Sequence, residues 1–295
     1  MPGGTCLACR AGSGGGVSRI RVVTDSTADF DETEARRLGV GIVPLNVHWN
    51  GETYQDKVEL GIDEFYRKLR EEKGTPRTSQ PSVGQFETAY RELLEESEGV
   101  ISIHISSKLS GTVNSARFAA QAVAPERIAV IDSLTTSYGL GNVVMRVARL
   151  AEGGASLAEC VALAEELVPR IRVVAAVDTL EFLRRGGRIG RAQAFAGNLL
   201  SIKLVFQVFG GEVVPVDRVR TRASAVKRVA EAVLDMGEAE DLAVLYGDDP
   251  EPAKQLAAIL TERLKGVGFQ QGRIGAVLGT HTGPGVFGVA LLLRR

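Results

Sequence analysis

Cysteine is scarce in this chain of 295 residues, which contains only three, at positions 6, 9 and 160. That number is too small for a disulfide framework and is typical of proteins from a reducing compartment. Cys6 and Cys9 form a CxxC pair, but no second pair of ligands follows that would complete a zinc site. We favour no structural role for the pair and leave metal or redox use as the alternative.

The sequence also lacks long apolar runs and net charge. No run reaches the roughly 18 apolar residues that a membrane-spanning helix needs, and the Gly- and Ser-rich residues 1–17 lack the apolar core of a signal peptide. We therefore expect a cytoplasmic protein with a flexible N-terminal tail and no integral membrane contact. The formal net charge of −1 gives no general attraction to nucleic acid, so no nucleic-acid partner is expected.

Hydrophobic residues make up 44% of the chain, which is ample for a core. Apolar strand-like runs alternate with helical patterns, and this alternation is typical of an α/β fold with parallel strands. We predict two α/β domains, one over 18–154 with a mostly parallel sheet and flanking helices, and one over 155–295 with a mixed sheet. Asn50-Gly51 and Gly210-Gly211 are predicted hairpin turns. The predicted strands include 42–47 and 273–278.

Four polar segments rich in small residues follow predicted strands or separate predicted helices. The best placed is Ser110-Gly111-Thr112, between a strand and the start of a helix, where unpaired N–H groups favour a carboxylate or phosphate. Each segment alone is more simply explained as a helix cap or turn. Four together make a shared pocket more credible. They are 25–27, 78–82, 110–112 and 279–285.

Two kinds of side chain near these segments could bind an anion. His281 lies between glycines and could donate to a carboxylate or act as a base, although a purely structural histidine is the alternative. Four arginines surround Gly186-Gly187; most are expected on a solvated helix face, and one could reach inward to clamp an anion. His48 and His104 fall inside predicted strands, so we expect them in the sheets or the core.

The same segments, in this order, resemble the DegV family from about residue 20 onward. Each match is weak alone, but the set is specific. The matching stretches are VVTDSTAD (22–29), TSQPSVGQF (78–86), ISSKLSGTVNSA (105–116), VIDS (130–133), FLRRGGRIG (182–190) and GTHTGPG (279–285). One departure follows the fifth stretch: the family's Asn-Ile-Lys-Pro pattern reads Ser-Ile-Lys-Leu at 201–204, which puts the local loop and the acyl specificity in question.

The resemblance implies a DegV-like protein that binds one long-chain fatty acid, such as palmitate or oleate, in a buried tunnel. It implies no catalytic residue, no metal and no cofactor, with chemistry supplied by a separate fatty acid kinase that makes the acyl phosphate. Thr78 and Ser110 are implied to contact the carboxylate, His281 to complete that network, and Arg188 to act nearby. The full candidate fatty-acid-binding set is Thr78, Ser79, Ser110, Gly111, Thr112, Arg188, Thr280 and His281.

Two other functions are weighed against this one. A Ser/His acyl hydrolase would use Ser110 and His281, but the sequence has no GxSxG elbow and no acid clearly placed to orient the histidine. A phosphate or nucleotide binder would use the loop at 110–112, but the sequence has neither a P-loop motif nor a GxGxxG after a strand. The apolar segment 192–209 could wall the acyl chain, although ordinary core is the simpler expectation.

Overall fold

The structure is a computed structural model that describes residues 19–30, 32–195 and 202–295. The predicted tail at 1–17, with Cys6 and Cys9, lies outside the described residues, and so does the Ser201 end of the departing Ser-Ile-Lys-Leu stretch. Thirteen strands and ten α-helices are formed within the described parts of the chain.

The strands are β1 (Ile20–Asp25), β2 (Gly41–Val43), β3 (Asn46–Trp49), β4 (Glu52–Gln55), β5 (Arg77–Ser79), β6 (Gly99–His104), β7 (Ile128–Asp132), β8 (Ile171–Val177), β9 (Lys203–Phe209), β10 (Glu212–Val219), β11 (Ala239–Tyr246), β12 (Gly268–Arg273) and β13 (Phe287–Leu293). The helices are α1 (Glu32–Arg37), α2 (Ile62–Glu71), α3 (Val83–Glu95), α4 (Thr112–Val123), α5 (Ser137–Glu152), α6 (Leu157–Leu167), α7 (Glu181–Arg185), α8 (Arg222–Leu234), α9 (Glu251–Arg263) and α10 (Ala276–Thr282). Short 3₁₀ helices span Val168–Arg170 and Gly190–Phe195.

The strands form three sheets, and the mixed α/β class predicted from the sequence is confirmed. The first is a parallel sheet in the order β2-β1-β6-β7. The second has six strands in the order β10-β9-β8-β13-β11-β12, antiparallel except between β11 and β12. The third is a small antiparallel sheet, β4-β3-β5.

One hydrophobic core joins the two large sheets. It includes Ile101 on β6 and Phe206 on β9, with α5 residues such as Leu140 between them. Helix α6, which follows the predicted domain boundary at 154, packs against β6 and β7 of the parallel sheet. A helix of the second predicted domain thus contacts the sheet of the first, and the contacts mark no boundary at 154/155. The division into two domains there stays a prediction.

Both predicted hairpin turns are present. Asn50 and Gly51 have φ values of 51° and 89° at the turn between β3 and β4, the left-handed conformations that a tight hairpin turn requires. Gly210 and Gly211, with φ values of 56° and 86°, join β9 to β10.

Two strand predictions are wrong in detail. The predicted strand at 42–47 is two strands in different sheets, β2 and β3, separated at Pro44, which has no N–H to donate to a ladder. The predicted strand at 273–278 is instead the end of β12 followed by helix α10. Its short apolar run satisfies a strand or a buried helix equally well, and the true strand, GFQQGR, is polar and lies at a sheet edge.

Candidate functional site

A mostly apolar cavity lies on one face of the six-stranded sheet. Its floor includes a row of residues paired across four neighbouring strands: Phe206 with Ala175, Ala175 with Gly288, and Gly288 with Leu245. Side chains at alternate positions of a strand share a face, so Val208 and Val173, which also pair, extend the same floor. The cavity contains about 850 Å³ of space that no atom fills, open solvent at its mouth included.

The opposite wall comes from helices and loops of both halves of the chain. Helix α10 contributes Val277, Leu278 and His281, while Leu45 and Ile105 come from segments that follow β2 and β6. Most of the wall is aliphatic, so the interior favours an apolar ligand. The further apolar lining residues are Leu109, Leu183, Val213, Ile274, Val286 and Val289.

Polar side chains on the wall include four of the eight predicted site residues: Thr78, Ser110, Arg188 and His281. They come from β5, the β6–α4 loop, the segment after α7, and the last turn of α10. The structure thus brings together residues that are as much as 203 positions apart. Thr136, Ser137 and Thr282, which were not in the predicted set, also line the cavity.

His281 is linked directly to Thr78. The Nε2 atom of His281 lies 2.8 Å from the Thr78 Oγ1 atom. Nδ1 is buried and has no hydrogen-bond partner among the described residues. Burial, together with the positive charge of Arg188, lowers the pKa of His281 from 6.5 to about 4, so the ring is neutral at pH 7.

Gly186 leaves the space that the His281 ring occupies. An ideal Cβ built on Gly186 would lie 2.0 Å from His281 Nδ1, far inside van der Waals contact. The helix α7 end and helix α10 therefore approach closely because residue 186 carries no side chain. Gly186 of FLRRGGRIG and His281 of GTHTGPG therefore pack directly against each other.

Arg188 is fixed by two backbone carbonyls. Its Nε donates to the oxygen of Leu109 at 2.9 Å, and its Nη1 donates to the oxygen of Gly186 at 2.7 Å. In the described part of the chain no Asp or Glu makes an ion pair with Arg188, and none lines the cavity. This end of the cavity holds one positive charge that an anionic ligand could neutralise.

Ser110 is held by its own motif. Its Oγ lies 2.8 Å from the Thr112 Oγ1 atom, and it also accepts from the Thr112 backbone N–H at 3.4 Å. Thr112 is fully buried at the start of α4. Thr112 therefore orients the hydroxyl of Ser110 and does not itself reach the cavity wall.

Four predicted site residues, Thr112 included, lie off the cavity wall. Ser79 Oγ is 2.8 Å from His48 Nε2. Gly111 packs against the side chain of Gln80, and the Thr280 hydroxyl donates to the backbone oxygen of Ala276 at 2.9 Å. The structure brings these residues beside the cavity lining and does not place them on it, and their part in fatty-acid binding stays a prediction.

The segment Asp25-Ser26-Thr27 supports the wall from behind. Asp25 Oδ2 accepts from His104 Nδ1 at 3.0 Å and from the Ile105 backbone N–H at 2.9 Å. The Ser26 hydroxyl accepts from the Leu45 backbone N–H at 3.1 Å. Ile105 and Leu45 both line the cavity, so this motif fixes wall residues and is not part of the lining itself.

The predicted placement of the other histidines is confirmed. His104 is fully buried on β6, between Asp25 and the Ser102 hydroxyl, which lies 2.6 Å from His104 Nε2. His48 lies on β3 and contacts Thr53 and Ser79.

The described residues also bear on two alternative kinds of site. Within the described ranges no group of three or more His, Cys, Asp or Glu side chains could hold a metal ion. No helix among the described residues is long and apolar enough to span a bilayer.

Comparison with known proteins gives a consistent answer. The model of the DegV family of uncharacterised proteins matches residues 19–294. A DegV domain-containing protein from Deinococcus radiodurans is 40% identical over 277 residues, which cover 92% of this chain and 98% of that protein.

Solved structures of DegV family proteins are also similar to this chain. A DegV family protein from Thermus thermophilus, described as binding fatty acid, superposes with a TM-score of 0.86 at 40% identity, over 94% of this chain and 100% of that one. DegV from Bacillus subtilis, described as a fatty acid binding protein, gives 0.85 at 33% identity over the same shares. With the family's model spanning nearly all of the sequence and these relatives matching along their whole length, the chain belongs to the DegV family.

Proposed function

We propose that this protein binds one long-chain fatty acid, such as palmitate or oleate, with the acyl chain in the cavity and the carboxylate among Thr78, Ser110, Arg188 and His281. The observation that carries the proposal is the composition of the cavity wall. It is aliphatic over most of its area and has one cation and no acid among its described residues. The fatty-acid binding described for the Thermus and Bacillus relatives supports the same ligand class.

Burial of the acyl chain supplies much of the binding free energy. About fourteen methylenes at about 0.8 kcal/mol each contribute roughly 11 kcal/mol. Association costs about 4–15 kcal/mol, so the tail alone does not guarantee tight binding. The carboxylate must therefore find partners as well, because desolvating it without them costs several kcal/mol.

The polar end of the cavity supplies such partners. Arg188 is already oriented by two backbone carbonyls, so little side-chain entropy is lost when an anion binds. Thr78 and Ser110 add hydroxyls, and neutral His281 fixes Thr78. Thr112 and the other motif residues off the wall act by holding these groups in place.

The protein is proposed to act as a carrier and not as a catalyst. Its role is to present the acid to a separate cytoplasmic fatty acid kinase, which forms the acyl phosphate, with passing contact at a membrane surface to exchange lipid. The hydroxyl and imidazole groups are neutral and form no covalent bond with the ligand. The carboxylate oxygens therefore stay available for the reaction that the kinase catalyses. No cofactor is proposed.

The geometry does not favour the hydrolase. The hydrogen bond of His281 goes to Thr78 and not to Ser110, and its Nδ1 atom has no acid to orient it within the described chain. Ser102, His104 and Asp25 do form a serine–histidine–aspartate chain, but all three are 0% exposed. A nucleophile in that position cannot meet a substrate.

The proposal is tested by native mass spectrometry of the purified protein, then of delipidated protein titrated with palmitate and with methyl palmitate. We expect co-purifying fatty acid, and much tighter binding of the acid than of its ester, because the ester lacks the charge that Arg188 meets. Ser110→Ala should weaken binding of the acid by about tenfold or more, as hydrogen bonds to charged groups contribute about 1.5–3 kcal/mol. Ser107→Ala is the matched control, since Ser107 is exposed in the same loop.

Three outcomes would contradict the proposal. Delipidated protein could bind neither compound, the acid and the ester could bind equally, or acyl esters could be hydrolysed by the wild type and not by Ser110→Ala. The last result would establish the enzyme instead.

A further inference from the structure

A second void lies beside the acyl cavity. It is a cleft of about 1100 Å³, open solvent included, whose rim carries the exposed side chains of Glu32, Gln270 and Gln271. Its floor is made by the buried residues Ala243 and Leu245 of β11. The cleft therefore leads from solvent down to the same strand that bounds the cavity.

Leu245 stands between the two voids. It is the one described residue that contributes to both walls, and it is 3% exposed. Beside it, the Ser137 hydroxyl, on the cavity side, donates to Asp29 Oδ2, on the cleft side, at 2.7 Å. One layer of side chains separates the cavity from solvent here.

Strand order places Leu245 far from the polar end. The polar end lies near β10: Arg188 is hydrogen-bonded to the backbone oxygen of Leu109, and Gly190, two residues later, lies directly against the backbone of Val213 on β10. Strands β10 and β11 are four steps apart in the sheet. At about 4.8 Å per step, this separation is roughly 19 Å.

The course of helix α10 is independent evidence that Leu245 and the polar end lie at opposite ends of the cavity. Ile274, just before the helix, is hydrogen-bonded to Tyr246 next to Leu245, and Gly275 donates to Asp29. His281 is in the last turn of the helix, at the polar end. The helix thus runs along the cavity from the Leu245 end to the proposed carboxylate site.

We propose that Leu245 closes the inner end of the acyl cavity and sets the longest acyl chain that the protein accepts. This inference rests on the proposed fatty-acid function. With the carboxylate at Arg188, the terminal methyl group points toward Leu245. A smaller residue at 245 joins the cavity to the cleft, where Ala243 and Tyr138 offer apolar contact before the charged rim begins.

The effect is measured as a ratio of affinities. Each additional buried methylene multiplies affinity by about four, so two of them give about fifteenfold. In Leu245→Ala, the affinity for the saturated C20 acid relative to the C16 acid should therefore rise at least tenfold over the wild-type ratio. Leu245→Val removes less side-chain volume than Leu245→Ala and should raise the ratio about threefold.

The test titrates delipidated wild type and variants with saturated acids from C14 to C22, with binding followed by native mass spectrometry. Leu183→Ala is the matched control, because Leu183 lines the cavity and is absent from the cleft wall. Its C20-to-C16 ratio should stay within twofold of the wild type. If Leu245→Ala does not fold, Leu245→Val carries the test alone.

The outcomes separate the inference from the function on which it rests. Wild-type protein that binds none of the acids overturns the proposed function. Wild-type protein that binds palmitate, with unchanged ratios in the Leu245 variants, overturns the role of Leu245 alone. An equal rise in Leu183→Ala would show that any enlargement of the cavity suffices, and this too would overturn it.

Discussion

His281 is held neutral inside the protein, and this makes its contribution to stability depend on pH. Its pKa falls from 6.5 to about 4 because burial and Arg188 disfavour the charged ring. The unfolded chain therefore binds a proton at a higher pH than the folded chain does. The stabilisation is fully present above pH 6.5 and is lost as the pH falls toward 4.

The expected size follows from the shift, and is on the order of 3 kcal/mol between these pH values. It is measured as the difference in unfolding free energy between delipidated wild type and His281→Gln at several pH values. The advantage of the wild type should shrink as the pH is lowered through this window. A difference that stays constant from pH 7 to pH 4.5 would show that His281 is protonated at its ordinary pKa.

A substitution at Gly186 tests the packing of the His281 ring. In Gly186→Ala the new methyl group would collide with His281 Nδ1, so the ring must shift and Thr78 loses its partner. We expect fatty-acid affinity to fall about tenfold, a loss equivalent to one hydrogen bond of about 1.4 kcal/mol, measured by titration of delipidated protein. Gly61→Ala is the control, since a methyl group there meets nothing within 4 Å; equal effects in both variants would contradict this account.

Among the elements, the ends of β1 and β6 are tied together by Asp25. Burial acts to raise its pKa, but hydrogen bonds from His104, Thr27 and the Ile105 amide outweigh burial and hold the pKa below its usual value. The ionised carboxylate is thus part of the folded structure, and it secures the strand end that carries Ile105 into the cavity wall.

Asp25→Ala should therefore be severely destabilising. Removing one partner of a buried, hydrogen-bonded pair costs about 3–5 kcal/mol, and we expect the urea midpoint to fall accordingly. Asp217→Ala, which breaks an exposed pair with Arg228, should change stability by at most about 1 kcal/mol. Similar midpoints for the two variants would show that the Asp25 network does not hold the sheet together.

Local signals predicted both hairpin turns, and non-local pairing explains the misses. A glycine-containing hairpin turn is set by a few neighbouring residues, so it can be recognised in the sequence. Strand β5 was missed because its pairing partner, β3, lies some thirty residues earlier in the chain. Helix α10 was mistaken for a strand because four apolar positions fit either structure.

The candidate site was predictable only in part, for the same reason. Thr78, Ser110, Arg188 and His281 were found through motifs that resemble a family, and the structure brings them to one cavity. Of the aliphatic floor, Phe206 and Val208 fall in the segment 192–209 that the sequence offered as a possible wall. The rest of the floor could not be predicted, because it depends on the register of strands drawn from different parts of the chain. Thr112 and Thr280 share motifs with wall residues but turn inward to bond within their own segments.

For the molecule as a whole, one hydrophobic core joins the two large sheets, and a mostly apolar cavity adjoins it. The core that fills the gap between the sheets is continuous with the cavity wall, so a bound acyl chain would take the place of missing core. Such a ligand must stabilise the folded state, and the gain in stability rises with the logarithm of its concentration over its dissociation constant.

The position of the carboxylate decides whether this description of the molecule is right, and a crystal structure with palmitate measures it. We expect continuous elongated density that begins within hydrogen-bonding distance of Ser110 Oγ, Thr78 Oγ1 and the Arg188 guanidinium, and ends against Leu245. Density with its carboxylate at the Leu245 end, or palmitate bound outside the cavity altogether, would contradict it.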